Sequence, residues 1–239
     1  GEVWHLLDVR MNIPVTLRHR DRLADVDWDR YTHIVLPDGN WEGELPFAER
    51  LGRWVRSGGT LVAFRDAAPW ARDLTLDAPP EGTENGDIPV EGENTEDTEA
   101  AEESEESTER RDYADMEADD AVDVIGGAIF RADLDVTHPL GFGYAERDLF
   151  LHKNETTVFE TTDNAYGTVI AYTEDPLHSG YASEENQEKL AGTPALIAER
   201  HGRGSVILFA DNPNFRGYWY GTNKLFLNSL FFSTVFDAP

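Results

Sequence analysis

The chain has 239 residues, 40% of them hydrophobic, a formal net charge of −27 and no cysteine. It is long enough to bury a sizeable core, but disulfides, thiolate metal sites and a cysteine nucleophile are excluded. So acidic a surface repels nucleic-acid phosphates and anionic membranes, which leaves cationic or neutral partners, and no apolar stretch approaches the roughly 20 residues that cross a bilayer.

Gly1 leads straight into Glu2-Val3-Trp4-His5-Leu6-Leu7 with no basic region and apolar stretch before it, so the chain reads as a segment excised from a longer protein. Val3, Leu6 and Leu7 suit a short helix, and Ile13, Val15 and Leu17 alternate as in a strand. His33-Ile34-Val35-Leu36 reads as a buried strand ending at Pro37-Asp38-Gly39. Pro46 marks a helix start, Phe47, Leu51, Trp54 and Val55 form one apolar face, and Gly58-Gly59 stops the helix. Thr60 to Phe64 is a second buried strand, which completes a βαβ unit and implies parallel pairing.

Between Glu81 and Asp120 the sequence holds 18 acidic residues against Arg110 and Arg111, with almost no large apolar side chains. Such a segment cannot offset its own ordering entropy. It reads as a disordered acidic insertion at 81–120 inside one domain spanning 1–239. The basic residues are 17 Arg and 3 Lys, a pairing with excess acid that suggests adaptation to high salt. Melting temperature is therefore expected to climb between 0.1 and 1 M sodium chloride, as the Debye length falls from about 10 to about 3 Å. Calorimetry in the two buffers checks this, and a flat or falling trend would show that surface repulsion is unimportant.

After the insertion come short strands around 128–130, 156–160, 168–172 and 195–198, partly antiparallel. Gly202-Arg203-Gly204 turns the chain into a strong strand, Ser205 to Ala210. A polar and aromatic loop follows to Thr222, and Asn223 can cap a last helix burying Leu227, Leu230 and Phe231.

Ile13 to Leu17, Tyr31 to Gly39, Trp54 to Phe64, Thr137-His138-Pro139-Leu140-Gly141-Phe142-Gly143-Tyr144 and above all Gly204 to Phe232 resemble the domain that follows the catalytic domain of bacterial secreted zinc carboxypeptidases. The resemblance implies an α/β fold of the flavodoxin-like, class I glutamine-amidotransferase-like type: a mostly parallel sheet flanked by helices, with added antiparallel strands. It further implies a non-catalytic accessory role beside a peptidase domain, a secreted or periplasmic location, and zinc in that other domain with no cofactor in this chain. In that fold the turn after Phe64 is the nucleophile elbow; Arg65-Asp66 stands there in place of a cysteine, the mark of a pseudoenzyme. Asp66 also suits a cap for the helix that follows. Two other readings stay open, a carbohydrate- or peptide-binding module and a divergent amidotransferase-like enzyme.

His152-Lys153-Asn154-Glu155 has the His-x-x-Glu spacing of a zinc site but lacks downstream partners, and an exposed hairpin explains it as well. His138 suits a turn before Pro139, His178 a flexible polar segment reaching Asn186, His201 a turn, and His5, His19 and His33 positions in or beside the core. The loop Asp211 to Asn223 lies at the carboxyl end of a parallel-type strand, where α/β proteins bind ligands. Asp211, Asn212, Asn214 and Arg216 stand there beside Tyr218, Trp219 and Tyr220, able to bind a polar ligand, to dock a domain, or simply to pair Asp211 with Arg216. Arg65 and Arg216 are expected to share one sheet edge and to receive a carboxylate from Asp66, Asp211 or a partner.

Overall fold

The computed structural model describes residues 1–39, 41, 45–77 and 124–237; the acidic stretch at 81–120 lies outside them. Seven strands form one sheet: β1 (His33–Leu36), β2 (Thr60–Phe64), β3 (Ala128–Leu134), β4 (Asp148–Lys153), β5 (Thr168–Ser179), β6 (Pro194–His201) and β7 (Gly204–Phe209), in the order β1-β2-β7-β6-β5-β3-β4. β1, β2 and β7 pair in parallel and the remaining pairings are antiparallel. The protein is thus α/β with a mixed sheet, and the expectation of a mostly parallel one is corrected. The βαβ pattern is confined to the first half of the chain, while tight connections such as His201-Gly202-Arg203-Gly204 force antiparallel neighbours in the second.

The helices are α1 (Glu2–Trp4, continuing as a π-helical turn to Arg10), α2 (Ala48–Arg56), α3 (Ala67–Thr75), α4 (Glu184–Leu190) and α5 (Asn223–Phe231). Strand alternation sorts the core onto the two sheet faces. Val62, Phe64, Ile207 and Phe209 join Phe130, Tyr172 and Phe226 on one face. Leu61, Ala63, Val206 and Leu208 meet α2 and α3 on the other, under the aromatic group Trp28, Trp41, Phe47, Trp54 and Trp70. Gly204 is pressed so closely against α2 that a Cβ there would lie 2.0 Å from the Val55 carbonyl, which fixes β7 beside the end of that helix.

Several local expectations give way. Residues 13–17 form no strand, because Asn12 takes a left-handed φ of 55°, the Ile13 N–H turns back to the Leu7 carbonyl (2.8 Å) and Pro14 has no N–H to give a ladder. Residues 156–160 form no strand; the segment drops Phe159 into the core and offers the Glu160 carbonyl to Arg72 (2.8 Å). Asp148–Lys153 is a strand, not part of an exposed hairpin, and His178 belongs to β5, against Phe150. Glu184 to Asn186 begin α4, capped by the Ser183 hydroxyl. His5 and His19 are exposed rather than core-associated, whereas His33 is half-buried near Ser233 (3.2 Å) and His138 caps the turn at Leu140 (3.1 Å). α5 starts one residue after its cap, Thr222, and buries Leu225, Phe226, Asn228 and Ser229 while Phe231 faces solvent. Its face is turned by polar anchoring: Asn228 Nδ2 donates to the Leu140 and Phe142 carbonyls at 2.7 and 2.9 Å.

Candidate functional site

Strand directions decide which residues meet. β1, β2 and β7 run together, and four successive antiparallel steps from β7 return β4 to the same direction. The carboxyl ends of β1, β2, β7 and β4 therefore share one edge, which carries Asp38, Arg65, Asp211 and Glu155. Arg65 and the loop after β7 are neighbours, and the Arg65 N–H donates to the Phe209 carbonyl at 2.9 Å.

Arg65 holds a left-handed backbone, φ 50°, uncommon for a residue with a side chain and in keeping with a sharp strand-to-helix turn. Its Nη1 donates to Asp38 Oδ2 at 2.7 Å, and its Nε lies 2.7 Å from Glu155 Oε2 in a charge contact without aligned hydrogen-bond geometry. Burial works against the guanidinium charge, but Glu155, Asp38 and Asp66 outweigh it and raise its pKa. Burial in turn pushes Glu155 up to about 7 despite Arg65, and its second oxygen is buried with no hydrogen-bond partner. The carboxylates meeting Arg65 are thus Asp38 and Glu155, not Asp66 or Asp211 as expected. Asp66 occupies the cap position of α3, yet its side chain makes no capping hydrogen bond.

Asp211 is committed elsewhere. The alternation of β4 that buries Leu149 and Leu151 also buries Lys153, which is fully enclosed. Lys153 Nζ donates to Asp211 Oδ1 at 3.1 Å and to the Thr157 carbonyl at 2.7 Å. The Tyr172 hydroxyl donates to Asp211 Oδ2 at 2.5 Å, and burial followed by the Asp211 charge raises the phenol's pKa well above its usual value. No Asp211–Arg216 pair forms, because Asp211 points inward while Arg216 is exposed. Lys153 and Tyr172 were not foreseen from sequence, although Leu149, Leu151 and Lys153 at alternate positions place a lysine in an apolar row.

The rest of the loop divides in two. Asn212 accepts from the Asn214 N–H (2.9 Å), Asn214 is buried against Asn223 (3.0 Å), and Thr222 ties back to Pro213 (2.7 Å). Trp219 is half-buried, while Tyr218 and Tyr220 are exposed. Arg216, also left-handed at φ 47°, carries its guanidinium over the Phe215 ring. His152 stacks on the same Phe215 with ring centroids 3.8 Å apart, and burial lowers its pKa.

Asp38, Asp66 and Glu155 each offer an oxygen within 4.8 Å of the others, the one such carboxylate or histidine grouping among the described residues. His152 takes no part in it, so the His-x-x-Glu pair does not converge, and Arg65 already supplies the positive charge in its midst. Beside Arg65 opens a cleft of about 1040 Å³, lined by α1 and the Ile13 to Leu17 segment, by β1 and its flanks, and by Asn154, Asn212, Arg216 and Phe231.

Neither a protein-family model nor a curated protein sequence matches the chain. Among solved structures it is similar to the cytoplasmic protein STM3548 from Salmonella typhimurium, at 13% identity and a TM-score of 0.44, covering 97% of this chain and 86% of that one. A cold-adapted β-galactosidase from Rahnella sp. R3 matches at 14% identity and a TM-score of 0.37, over 87% of this chain but 24% of the enzyme. These similarities assign neither family nor activity.

Proposed function

We propose that this chain is a non-catalytic accessory domain of the flavodoxin-like, class I amidotransferase-like type, serving a secreted zinc metallocarboxypeptidase by packing against its peptidase domain. The observation that carries the non-catalytic part is Arg65. It occupies the left-handed turn between β2 and α3 where an amidotransferase presents its thiolate, and a guanidinium held by Asp38 and Glu155 offers no electron pair for acyl transfer. Docking falls to the exposed tyrosines of the loop after β7, Tyr218 and Tyr220, since amphipathic aromatics on a braced loop suit an interface anchor. Arg10 lies over the Tyr220 ring at 4.5 Å and fixes its orientation.

The test is a Tyr218→Ala/Tyr220→Ala pair made both in this chain and in the longer protein. The exposed truncations should leave the isolated chain within about 0.5 kcal/mol of its parent stability. In the longer protein they should cost more than about 1 kcal/mol of interdomain stability. Equal stability of wild type and variant in the longer protein would end the docking reading. Glutamine hydrolysis by the isolated chain, abolished by Arg65→Ala, would end the non-catalytic one.

A further inference from the structure

The cleft beside Arg65 has an internal polarity. β1 is the edge strand of the sheet, and its alternation turns Ile34 and Leu36 toward the tryptophan-rich core and His33 and Val35 toward the cleft. The lining includes Val35 and Phe64 from the sheet, Leu230 and Phe231 of α5, and Trp4 with the Ile13 to Leu17 segment. Large apolar side chains are left in water along this cleft: Trp4 is 42% exposed, Phe231 63% and Leu17 66%. Contiguous apolar surface around a concavity marks a binding site more often than a plain surface does.

The carboxyl-edge end is polar instead, with Asn154, Asn212, Asp38, Arg65 and Arg216. Two of these charges cancel each other, since Arg65 is paired with Asp38. Arg216 is different: its backbone N–H bonds to Glu2 Oε1 at 2.9 Å, but its guanidinium makes no ion pair among the described residues. Arg216 thus keeps its guanidinium donors available at one end of an apolar cleft, with the Glu2 carboxylate on its backbone N–H, and Arg30 is a second lining arginine that makes no ion pair among the described residues. Arg216 is also held at a strained backbone angle of the kind found at ligand clamps.

From this we infer that the cleft binds an apolar monocarboxylate, its hydrocarbon body lying along β1 between the amino-terminal segment and α5 and its carboxylate on the Arg216 guanidinium. The class follows from the two ends. The apolar stretch rewards a hydrocarbon body at about 25 cal/mol per Å² buried, and an arginine fork recognises a carboxylate through two parallel hydrogen bonds. The surrounding negative charge disfavours dianions and polyanions. An aliphatic acid and an apolar peptide ending in a free carboxylate share this chemistry. The lining residues named here all belong to this chain, and the inference does not depend on the accessory-domain reading.

The experiment is a calorimetric titration of the chain with decanoate below its micelle-forming concentration, beside decanol and a short apolar peptide as its free acid and as its amide. One saturable site is expected for decanoate or for the peptide acid, and whichever binds more tightly names the source. Its uncharged counterpart should bind at least about tenfold more weakly, as loss of a charge-assisted hydrogen bond requires. Arg216→Gln should reduce the acid to the level of the uncharged counterpart. Leu17→Glu, at an exposed position that does not threaten folding, should weaken the acid more than the uncharged ligand. Absence of saturable binding by either acid overturns the inference. Equal binding of acid and uncharged ligand, or an Arg216→Gln variant that binds as wild type, overturns it too.

Discussion

Asp211→Ala should be the most damaging single change at the site, costing about 3–5 kcal/mol of unfolding free energy. The carboxylate is nine-tenths buried and answers a lysine with no solvent exposure. Removing it leaves the Lys153 ammonium with only the Thr157 carbonyl and the more distant charge of Glu155, and the Tyr172 hydroxyl without its acceptor, in a low-dielectric interior. The damage comes from the stranded charge more than from the lost attraction, and a second variant separates the two. Lys153→Met with Asp211→Leu removes both charges together and should recover most of the loss, because a buried ion pair gains little over well-packed apolar groups. Urea melts of wild type, Asp211→Ala and the double variant provide the check. An Asp211→Ala protein within about 1 kcal/mol of wild type would mean that the pair is hydrated in solution.

Glu155 should give the protein an inverted pH response. Its folded pKa of about 7 lies above the unfolded 4.5, so the folded state holds the proton more tightly. The stability this proton confers is complete below pH 4.5 and is lost as pH rises through about 7. A glutamine side chain cannot ionise, so the Glu155→Gln variant should escape the loss. The stability of wild type relative to the variant should therefore fall by about 3 kcal/mol between about pH 4 and pH 8. Chemical denaturation at several pH values reads this difference directly and subtracts the other carboxylates, which the two proteins share. A difference that stays flat, or grows with pH, would show that Arg65 and not burial controls the group.

The parts legible in the sequence were those with local signals. The βαβ unit of β1, α2 and β2 was marked by Pro46 and Gly58-Gly59, and β7 by its apolar run after Gly202-Arg203-Gly204. The meeting of Arg65 with the loop at Asp211 followed from parallel neighbours sharing an edge. What escaped detection depends on pairings the sequence does not print. Whether β4 points with β7 or against it is settled by the count of antiparallel steps between them, so Glu155 could not be placed beside Arg65. Lys153 reads as a spacer inside a metal-like spacing because its length and charge suggest solvent, and only its row with Leu149 and Leu151 betrays that it is inside. Residues 13–17 carry a strand's alternation but join no strand, because Asn12 turns the chain and Pro14 lacks an N–H, and they line the cleft instead. The buried face of α5 departs from its hydrophobic spacing because Asn228 and Ser229 face inward, Asn228 to hold loop carbonyls, a use of polar residues that apolar periodicity overlooks.

The parallel pairing of β2 with β7 also sets an order of assembly. Phe64 and Phe209 are register partners about 145 residues apart along the chain, so joining them closes a very large loop. β6 and β7, by contrast, meet across a two-residue turn. The antiparallel half can form from nearby segments, and the strand bearing Arg65 must wait for a docking surface that β7 provides. In breathing motions the reverse holds, with the late-joining β1 and β2 as the unit that detaches at least cost. Arg65, Asp38 and the sheet residues lining the cleft ride on that unit, so a molecule lodged there would act as a clasp across the slowest-forming seam of the protein, lengthening the lifetime of the closed state without touching the hairpins behind it.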